Sequence, residues 1–447
     1  MNPVRYTVLL GVYAVVLLGL TGAGAHALWQ RQHDTVVWIM LACAAVYCAA
    51  AWLAWRNEGR IASTARRPAI IVIIVTAAVA RALLVGAPPL STDVYRYVWD
   101  GRVQAEGINP YRYRPADPRL AFLRDRAVYP NINRAGTALT IYPPFAQAIF
   151  LAATRVANSV TGMKAAMAAF EIATMGTLLA LLRGCGLPAT RLIFYAWHPL
   201  PLFEFAGSGH IDAAAIALMI GACLAAQRRH SLTAGALLGA ATLVKFFPAA
   251  IAPALYRRWG WRFPAALLGV VAVGYLPYSA VGSQVLGFLP GYVQDEGLAD
   301  GSGFFLLSLL QAAGPLPPWS ATAYLFAACA TLSLLALTVV MRRGPSPLAT
   351  GAALALLAVL TLWLSPHLPW YFTWTLPFLC FGPSWALIYL SAAAPLLYDS
   401  VWSPGSLPLN ATLYIPCLLI FVLEWWHGSR KPLELPNDGS LGPRGAG

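Results

Sequence analysis

The residues best suited to chemistry lie in one polar stretch, Ser91-Thr92-Asp93-Val94-Tyr95-Arg96-Tyr97-Val98-Trp99-Asp100-Gly101-Arg102. Pro88-Pro89 ends the apolar run before it, and Ser91, Thr92 or Asp93 supplies the cap of a helix starting there. On that helix Asp93, Arg96, Tyr97 and Asp100 follow one another at helical spacing and share one face. Two carboxylates, a guanidinium and a phenol facing one way can take a proton and hold an anion. The plainer reading of the same pattern is an ion pair beside an interfacial aromatic belt. The polar stretch runs on through Gly107-Ile108-Asn109-Pro110-Tyr111 and ends at Thr140-Ile141-Tyr142-Pro143-Pro144. Asp93, Asp100, Glu106, Asp117 and Asp125 all fall within it, although the whole chain has only 17 acidic residues.

A second group of polar residues is set in apolar surroundings. Lys245 lies mid-segment in a run broken by Lys245-Phe246-Phe247-Pro248. A lysine at membrane depth costs roughly 3 kcal/mol on insertion scales unless it is paired or faces water. Lys245 is more than ten residues from either end of its segment, too deep to snorkel easily. It therefore reads as a cavity-facing cation with an anion such as a phosphate as partner. Glu171 and Glu204 are intramembrane carboxylates, each either its structural counter-ion or functional. His210 and Asp212 flank an expected external turn at Gly207-Ser208-Gly209-His210. There they bind a metal or, in the preferred reading, hydrogen-bond at a cavity mouth. His367, ahead of Pro369-Trp370-Tyr371, marks another external turn where imidazole and aromatic faces can meet a phosphate or a sugar, or simply line an interface.

These residues need a membrane scaffold. The chain of 447 residues is 59% hydrophobic and 11% charged. A soluble protein could not hide so much apolar surface, so the fold class is an all-α polytopic membrane protein. The net charge of +13 is concentrated in short arginine clusters beside apolar segments, which fits cytoplasmic loops and not nucleic-acid binding. The seven cysteines lie almost all in apolar segments without a Cys-x-x-Cys pair, and read as small core residues. No cleavable signal peptide is expected, because the first apolar segment is too long.

Expected spans are Tyr6–Trp29, Thr35–Trp55, Pro68–Ala87, Met163–Arg183, Arg191–Ala206 and Ile211–Ala226, with 142–160 interfacial. Ser231–Tyr256 is expected to enter from the cytoplasm, turn at Lys245 and return. Phe263–Tyr278, Ala321–Met341, Leu348–Leu364, Trp370–Phe381, Trp385–Tyr398 and Leu409–Trp426 follow, with a short external helix at Leu306–Ala313. The total is about 12 crossings plus partial helices. The arginines between Arg56 and Arg67 place that loop inside, so the loop at about 88–141 faces outside and both termini are cytoplasmic. Residues 1–431 form one transmembrane domain, and the Gly/Pro-rich tail 432–447 is expected to be disordered and cytoplasmic.

Taken in order, Asp93-Val94-Tyr95-Arg96-Tyr97 with Trp99-Asp100-Gly101-Arg102, Gly107-x-Asn109-Pro110-Tyr111, Tyr142-Pro143-Pro144, Glu204-x-x-Gly207-x-Gly209-His210-x-Asp212, Lys245-Phe246-x-Pro248 and Pro369-Trp370-Tyr371 form a pattern. It resembles the C-type superfamily of membrane glycosyltransferases, and within it the bacterial polyprenol-phosphate-mannose-dependent mannosyltransferases and the related family 87 enzymes. The match spans roughly Arg81 to Phe381. That family often has a histidine near Asn133, where this chain has Arg134.

The resemblance implies a polyprenyl-phosphate sugar donor, a lipid or glycan acceptor, an active site on the outer face of a bacterial cytoplasmic membrane, and a catalytic carboxylate matching Asp93. The residue chemistry agrees with it. A hydroxyl attacking an anomeric carbon needs a base, Asp93, with Asp100 as the second carboxylate. A phosphate leaving group needs cations, for which Arg96, Arg102, Lys245 and His367 are the candidates. Tyr97, Trp99, Asn109, Tyr142, Glu204, His210, Asp212, Trp370 and Tyr371 are candidate substrate contacts. A monophosphate donor demands no metal, so no cofactor is expected. The competing reading is a transporter or flippase of a lipid-linked sugar, which also wants intramembrane charge and broken helices. A transporter, however, needs no dense carboxylate–aromatic cluster outside the bilayer.

Overall fold

The computed structural model describes residues 2–60, 63–256, 260–341, 350–398 and 406–429. The expected tail at 432–447 lies outside the described residues. Helices account for the fold, and there is no strand among the described residues. The first three helices are α1 (Pro3–Trp29), α2 (His33–Asn57) and α3 (Ser63–Val85). Helix α1 opens with Pro3 and with Asn2 Oδ1 accepting from the Val4 amide at 2.9 Å, a side-chain cap that satisfies one orphan donor. After α3 come α4 (Asp93–Ala105), α5 (Pro144–Val156) and α6 (Val160–Gly184).

Among the described residues, seven helices are long and apolar enough to cross a membrane: Val4–Trp29, His33–Asn57, Arg66–Val85, Val160–Gly184, Arg262–Asp295, Ser320–Met341 and Leu407–His427. Pro199–Gly207 and Asp212–Gln227 make an eighth if their 119° bend is one broken span. The expected twelve are not reached by length. The remaining expected crossings fall on shorter helices, Ser231–Thr242, Phe247–Tyr256, Thr350–Leu364 and Trp385–Tyr398, and on the short turns of 369–379. A 12-residue helix such as Ser231–Thr242 is about 18 Å long, against a hydrocarbon core of roughly 30 Å. It packs on Asp212–Gln227 and on Arg262–Tyr275, so its broken end lies in protein and its freed backbone groups need no lipid contact.

The polar loop between α3 and α5 is held by two buried devices. Lys164, fully buried on α6, donates to the carbonyls of Leu84 (2.9 Å) and Ala87, capping the C-terminal end of α3. The sequence pattern carried no sign of this lysine's role. Helix α4 then lies on α5 with Gly101 at the contact. A Cβ at Gly101 would stand 2.5 Å from the Phe150 carbonyl oxygen and 2.2 Å from Thr154 Oγ1. The backbone atom cannot give way, so Gly101→Ala should destabilise the protein by about 1–3 kcal/mol. Thermal unfolding of the purified variant measures this, and an unchanged midpoint would mean the two helices are not so closely packed.

Candidate active site

Residues from six chain segments enclose a cavity of about 820 Å³ at the polar-loop end of the bundle. Asp93, the first residue of α4, points into it and is 21% exposed there. Its Oδ1 accepts from Asn133 Nδ2 at 3.0 Å and its Oδ2 from the Tyr142 hydroxyl at 3.4 Å. Burial raises the Asp93 carboxyl above the usual carboxylate range, against the opposing pull of Lys245 and of these two hydrogen bonds. A carboxylate that is held in place, accessible and more basic than usual is the arrangement a general base requires.

Lys245 occupies the break between Ser231–Thr242 and Phe247–Ile251, and lines the same cavity. Its Nζ donates to Asp212 Oδ2 at 2.7 Å and sits 4.9 Å above the Tyr371 ring. Asp212, fully buried at the start of Asp212–Gln227, also accepts from Trp374 Nε1 at 3.0 Å. The counter-ion of Lys245 is therefore Asp212. Glu171, one of the two carboxylates expected for that role, is paired with Arg81, because α6 sets it against α3. Glu204, the other, bonds the Tyr398 hydroxyl at 3.0 Å and lies 3.3 Å from His210.

The expected site residues divide into three groups. Asp93, Arg96, Tyr142, Lys245, His367, Trp370 and Tyr371 line the cavity together. Glu204, His210, Asp212 and Tyr97 are buried directly behind it; Tyr97 stacks on Phe150 with ring centres 4.5 Å apart and meets Tyr142 edge-on. Asp100, Arg102, Trp99 and Asn109 are not brought to the cavity wall. Asp100 is 1% exposed and ion-paired to Arg96 at 2.8 Å, with Gln147 Nε2 donating to its other oxygen at 3.1 Å. It orients Arg96, whose own charge is thereby balanced. Arg102 is spent on Asp125 at 2.6 Å and on Asn158 at 2.7 Å. Trp99 packs on Tyr129, and Asn109 Nδ2 donates to the Tyr278 carbonyl at 3.3 Å. Helical spacing set Asp93 and Asp100 on one face, but that face turns from cavity to core within two turns.

His367 was expected as a phosphate-binding cation. Burial lowers its pKa below the usual histidine range, so at neutral pH it is a neutral imidazole, with Nδ1 buried and without a hydrogen-bond partner among the described residues. It can still donate or accept one hydrogen bond to a ligand, but contributes no full charge.

Several wall residues carried no readable signal in the sequence. Asn133 reaches Asp93 only because the loop folds back on α4. Arg134, at a positive φ of 52°, bridges the cavity rim to Asp295 at 2.9 Å. Glu296 and Tyr398 come from distant segments. Trp374 was within reach of the sequence, since it follows Trp370 at helical spacing on Pro369–Thr375 and stacks on Phe247 at 4.1 Å. Ser91, Thr92 and Tyr292 add polar groups, and most of the remaining wall is apolar: Leu360, Leu364, Phe246, Phe288, Leu289 and Leu298 among others. Among the described residues, no three His, Cys, Asp or Glu side chains gather as a metal site would require.

A cavity that joins carboxylates and cations to a long apolar wall at the end of a membrane bundle suits an amphiphilic substrate. No curated protein and no solved structure matches this chain. The family model for the N-terminal domain of alpha-(1->6)-mannopyranosyltransferases matches residues 7–260, which hold Asp93, Asn133, Tyr142, Glu204, His210, Asp212 and Lys245. That match covers more than half of the chain, and the protein belongs to the alpha-(1->6)-mannopyranosyltransferase family of membrane mannosyltransferases.

Proposed function

We propose that this mannosyltransferase uses a polyprenyl-phosphate sugar, with mannose as the hexose, and transfers it to a lipid-linked or cell-envelope glycan. The single observation that carries this is the composition of the cavity wall around Asp93. The apolar side accepts a polyprenyl chain, and Lys245, Arg134 and His367 line the same cavity, where they can meet one phosphate. Asp93 takes the proton of the acceptor hydroxyl as the oxygen attacks the anomeric carbon. The bond from that carbon to the phosphate oxygen breaks, and its electron pair stays on the phosphate, where cations stabilise it. Trp370 and Tyr371 offer aromatic faces to the sugar.

The outer face is the working side in this reading. Arg228 and Arg229 follow the C-terminal end of Asp212–Gln227, while Asp212 and Lys245 mark its other end beside the cavity. Arg66 and Arg67 likewise begin the span that ends at the polar loop. These positive ends support a reading in which the cavity faces outside, the membrane is the cytoplasmic membrane of a bacterium, and both termini are cytoplasmic.

Purified protein given polyprenyl-phosphate-mannose and extracted envelope lipid should form a mannosylated product and free polyprenyl phosphate. Transport of the lipid-linked sugar across a vesicle bilayer without new glycosidic bonds would favour a flippase instead. Lys245→Gln keeps a donor for the buried Asp212 and removes the charge, so KM for the donor should rise about 10–100-fold, the range of one charge-assisted hydrogen bond. Equal KM for the two proteins would leave Lys245 a purely structural partner of Asp212.

A further inference from the structure

A second hollow opens on the polar loop beside the catalytic cavity. It holds about 380 Å³ and is lined by Arg112, Arg114, Asp117, Gly136, Leu139 and Gln284 among others. That volume is at the small end of the roughly 300–1,000 Å³ range of ligand sites. The turn at 134–139 is the partition between the two hollows. Arg134 and Ala138 line the cavity, Gly136 lines the groove, and Leu139 borders both. The turn is closed by the Thr137 and Ala138 amides, which donate to the Arg134 carbonyl at 3.1 and 3.0 Å. The Ala116 amide donates to the Ala135 carbonyl at 3.0 Å and ties the groove residues 112–117 to the same turn. A ligand lying across Leu139 would therefore pass from the cavity into the groove.

The groove differs from the cavity in its chemistry. The cavity has a long apolar wall, whereas the groove presents two guanidinium groups, a carboxylate and a carboxamide. Arg96, Arg102 and Arg134 of the same loop are ion-paired, but Arg112 and Arg114 have neither an ion pair nor a side-chain hydrogen bond among the described residues. Arg112 lies over the Tyr113 ring at 5.3 Å, a contact that steadies the guanidinium and leaves its N–H donors free. Asp117 Oδ1 accepts from the Arg119 amide at 2.9 Å, and its Oδ2 is uncommitted among the described residues. Gln284, from Leu276–Leu286, adds both a donor and an acceptor. A polyprenyl chain has no use for any of these groups. A phosphate would be drawn by the arginines and repelled by Asp117. Sugar hydroxyls both donate and accept, so a few of them satisfy guanidinium, carboxylate and carboxamide together.

Resting on the reading of the cavity as the site of mannose transfer, we propose that this groove is an acceptor subsite, which binds the sugar residues adjoining the one whose hydroxyl is attacked from the cavity. Its ligand is an uncharged oligosaccharide. The two substrates are thereby kept apart: the apolar wall takes the donor's lipid, the polar groove takes the acceptor's glycan, and they meet in the cavity that holds Asp93. The consequence is a preference for acceptors longer than one sugar, because only the added residues reach across Leu139.

Two arms test the subsite. In the first, octyl glycosides carrying one or three α-(1→6)-linked mannoses are compared as acceptors, with polyprenyl-phosphate-mannose as donor. The trimannoside should have the higher kcat/KM. Arg112→Ala combined with Arg114→Ala should lower that value about 10–100-fold, the range of one charge-assisted hydrogen bond, and leave the monomannoside rate and the unfolding midpoint unchanged. Asp117→Asn supplies the sign. It should weaken use of the trimannoside, whereas a phosphate-bearing ligand would bind more tightly once the like charge is gone. In the second arm, saturation-transfer NMR follows free α-(1→6)-mannotriose on the full-length protein in nanodiscs, without donor, and its signal should fall in the double alanine variant. Equal kcat/KM for the two acceptors, or an equal loss for both in the double variant, overturns the subsite. So does a mannotriose signal indifferent to the two arginines, or a gain in Asp117→Asn, which would mark an anion site. The NMR arm needs no turnover. An unaltered protein that transfers no mannose, yet binds mannotriose through Arg112 and Arg114, would refute the donor reading and leave the groove standing.

Discussion

Asp93→Asn is expected to lower kcat by about 10²–10⁴-fold while leaving donor binding and expression intact. Asparagine keeps the size; the amide of Asn133 can still donate to its carbonyl oxygen, and its own Nδ2 can donate to the Tyr142 hydroxyl, so the local geometry survives. What is lost is the group that takes the proton. Asp100→Asn should cost activity less, because Asp100 touches Arg96 and Gln147 and not the cavity. The pH dependence follows with its sign. Asp93 must be ionised to act, and burial raises its pKa above the usual carboxylate range. Rate should therefore fall as pH drops through that raised value, at a higher pH than a solvent-exposed aspartate near ~3.9 would give. Single-turnover rates across a pH series, with donor saturating, measure both effects. Normal turnover in Asp93→Asn with a dead Asp100→Asn would assign the base to the other carboxylate.

The largest effect on stability is expected at Arg81. Its guanidinium pairs with Glu171 and donates to the carbonyls of Ala77 (2.9 Å) and Ala196 (3.0 Å), and both charged side chains are almost wholly buried. One residue thus ties α3 to α6 and to the segment at 193–196. Arg81→Ala would leave a buried carboxylate without its cation and should cost about 3–5 kcal/mol. Replacing both partners by leucine should recover most of that loss, because a well-packed apolar pair carries no desolvation penalty. Melting of the purified proteins in detergent, with an Arg81→Ala and a double-leucine variant side by side, reads the difference. A stable Arg81→Ala would mean that water or lipid headgroups reach Glu171. Since α3 leads directly into the loop carrying Asp93, partial unfolding there would also lower activity without any change at the cavity wall.

Composition and the period of apolar segments were enough for the class of fold. Lipid has no hydrogen bonds to offer, so a chain this apolar must satisfy its backbone within helices; six of the expected spans appear as long apolar helices within a few residues of their expected ends, while the one expected at Phe263–Tyr278 runs on to Asp295. The break at Lys245 was legible for the same reason, since a charged residue followed by proline cannot continue a buried helix. Asp93 was legible because the proline pair, the cap and the helical spacing are all local. The number of crossings was not. Hydropathy measures how apolar a segment is, whereas Ser231–Thr242 and Thr350–Leu364 are apolar yet short, and their neighbours decide whether they span.

Partners were decided only by the tertiary structure. The sequence offered Lys245 two carboxylates, Glu171 and Glu204, but the bend between Pro199–Gly207 and Asp212–Gln227 brought Asp212 to it instead. It placed Asp100 and Arg102 beside Asp93, and packing of α4 on α5 turned them away. Asn133, Tyr398 and the alignment of His210 with Glu204 depend on contacts between residues tens to hundreds of positions apart. Local spacing constrains which residues share a helix face. Which face meets the cavity is set by the sum of many weak packing contacts along the whole chain, and no short stretch contains that sum.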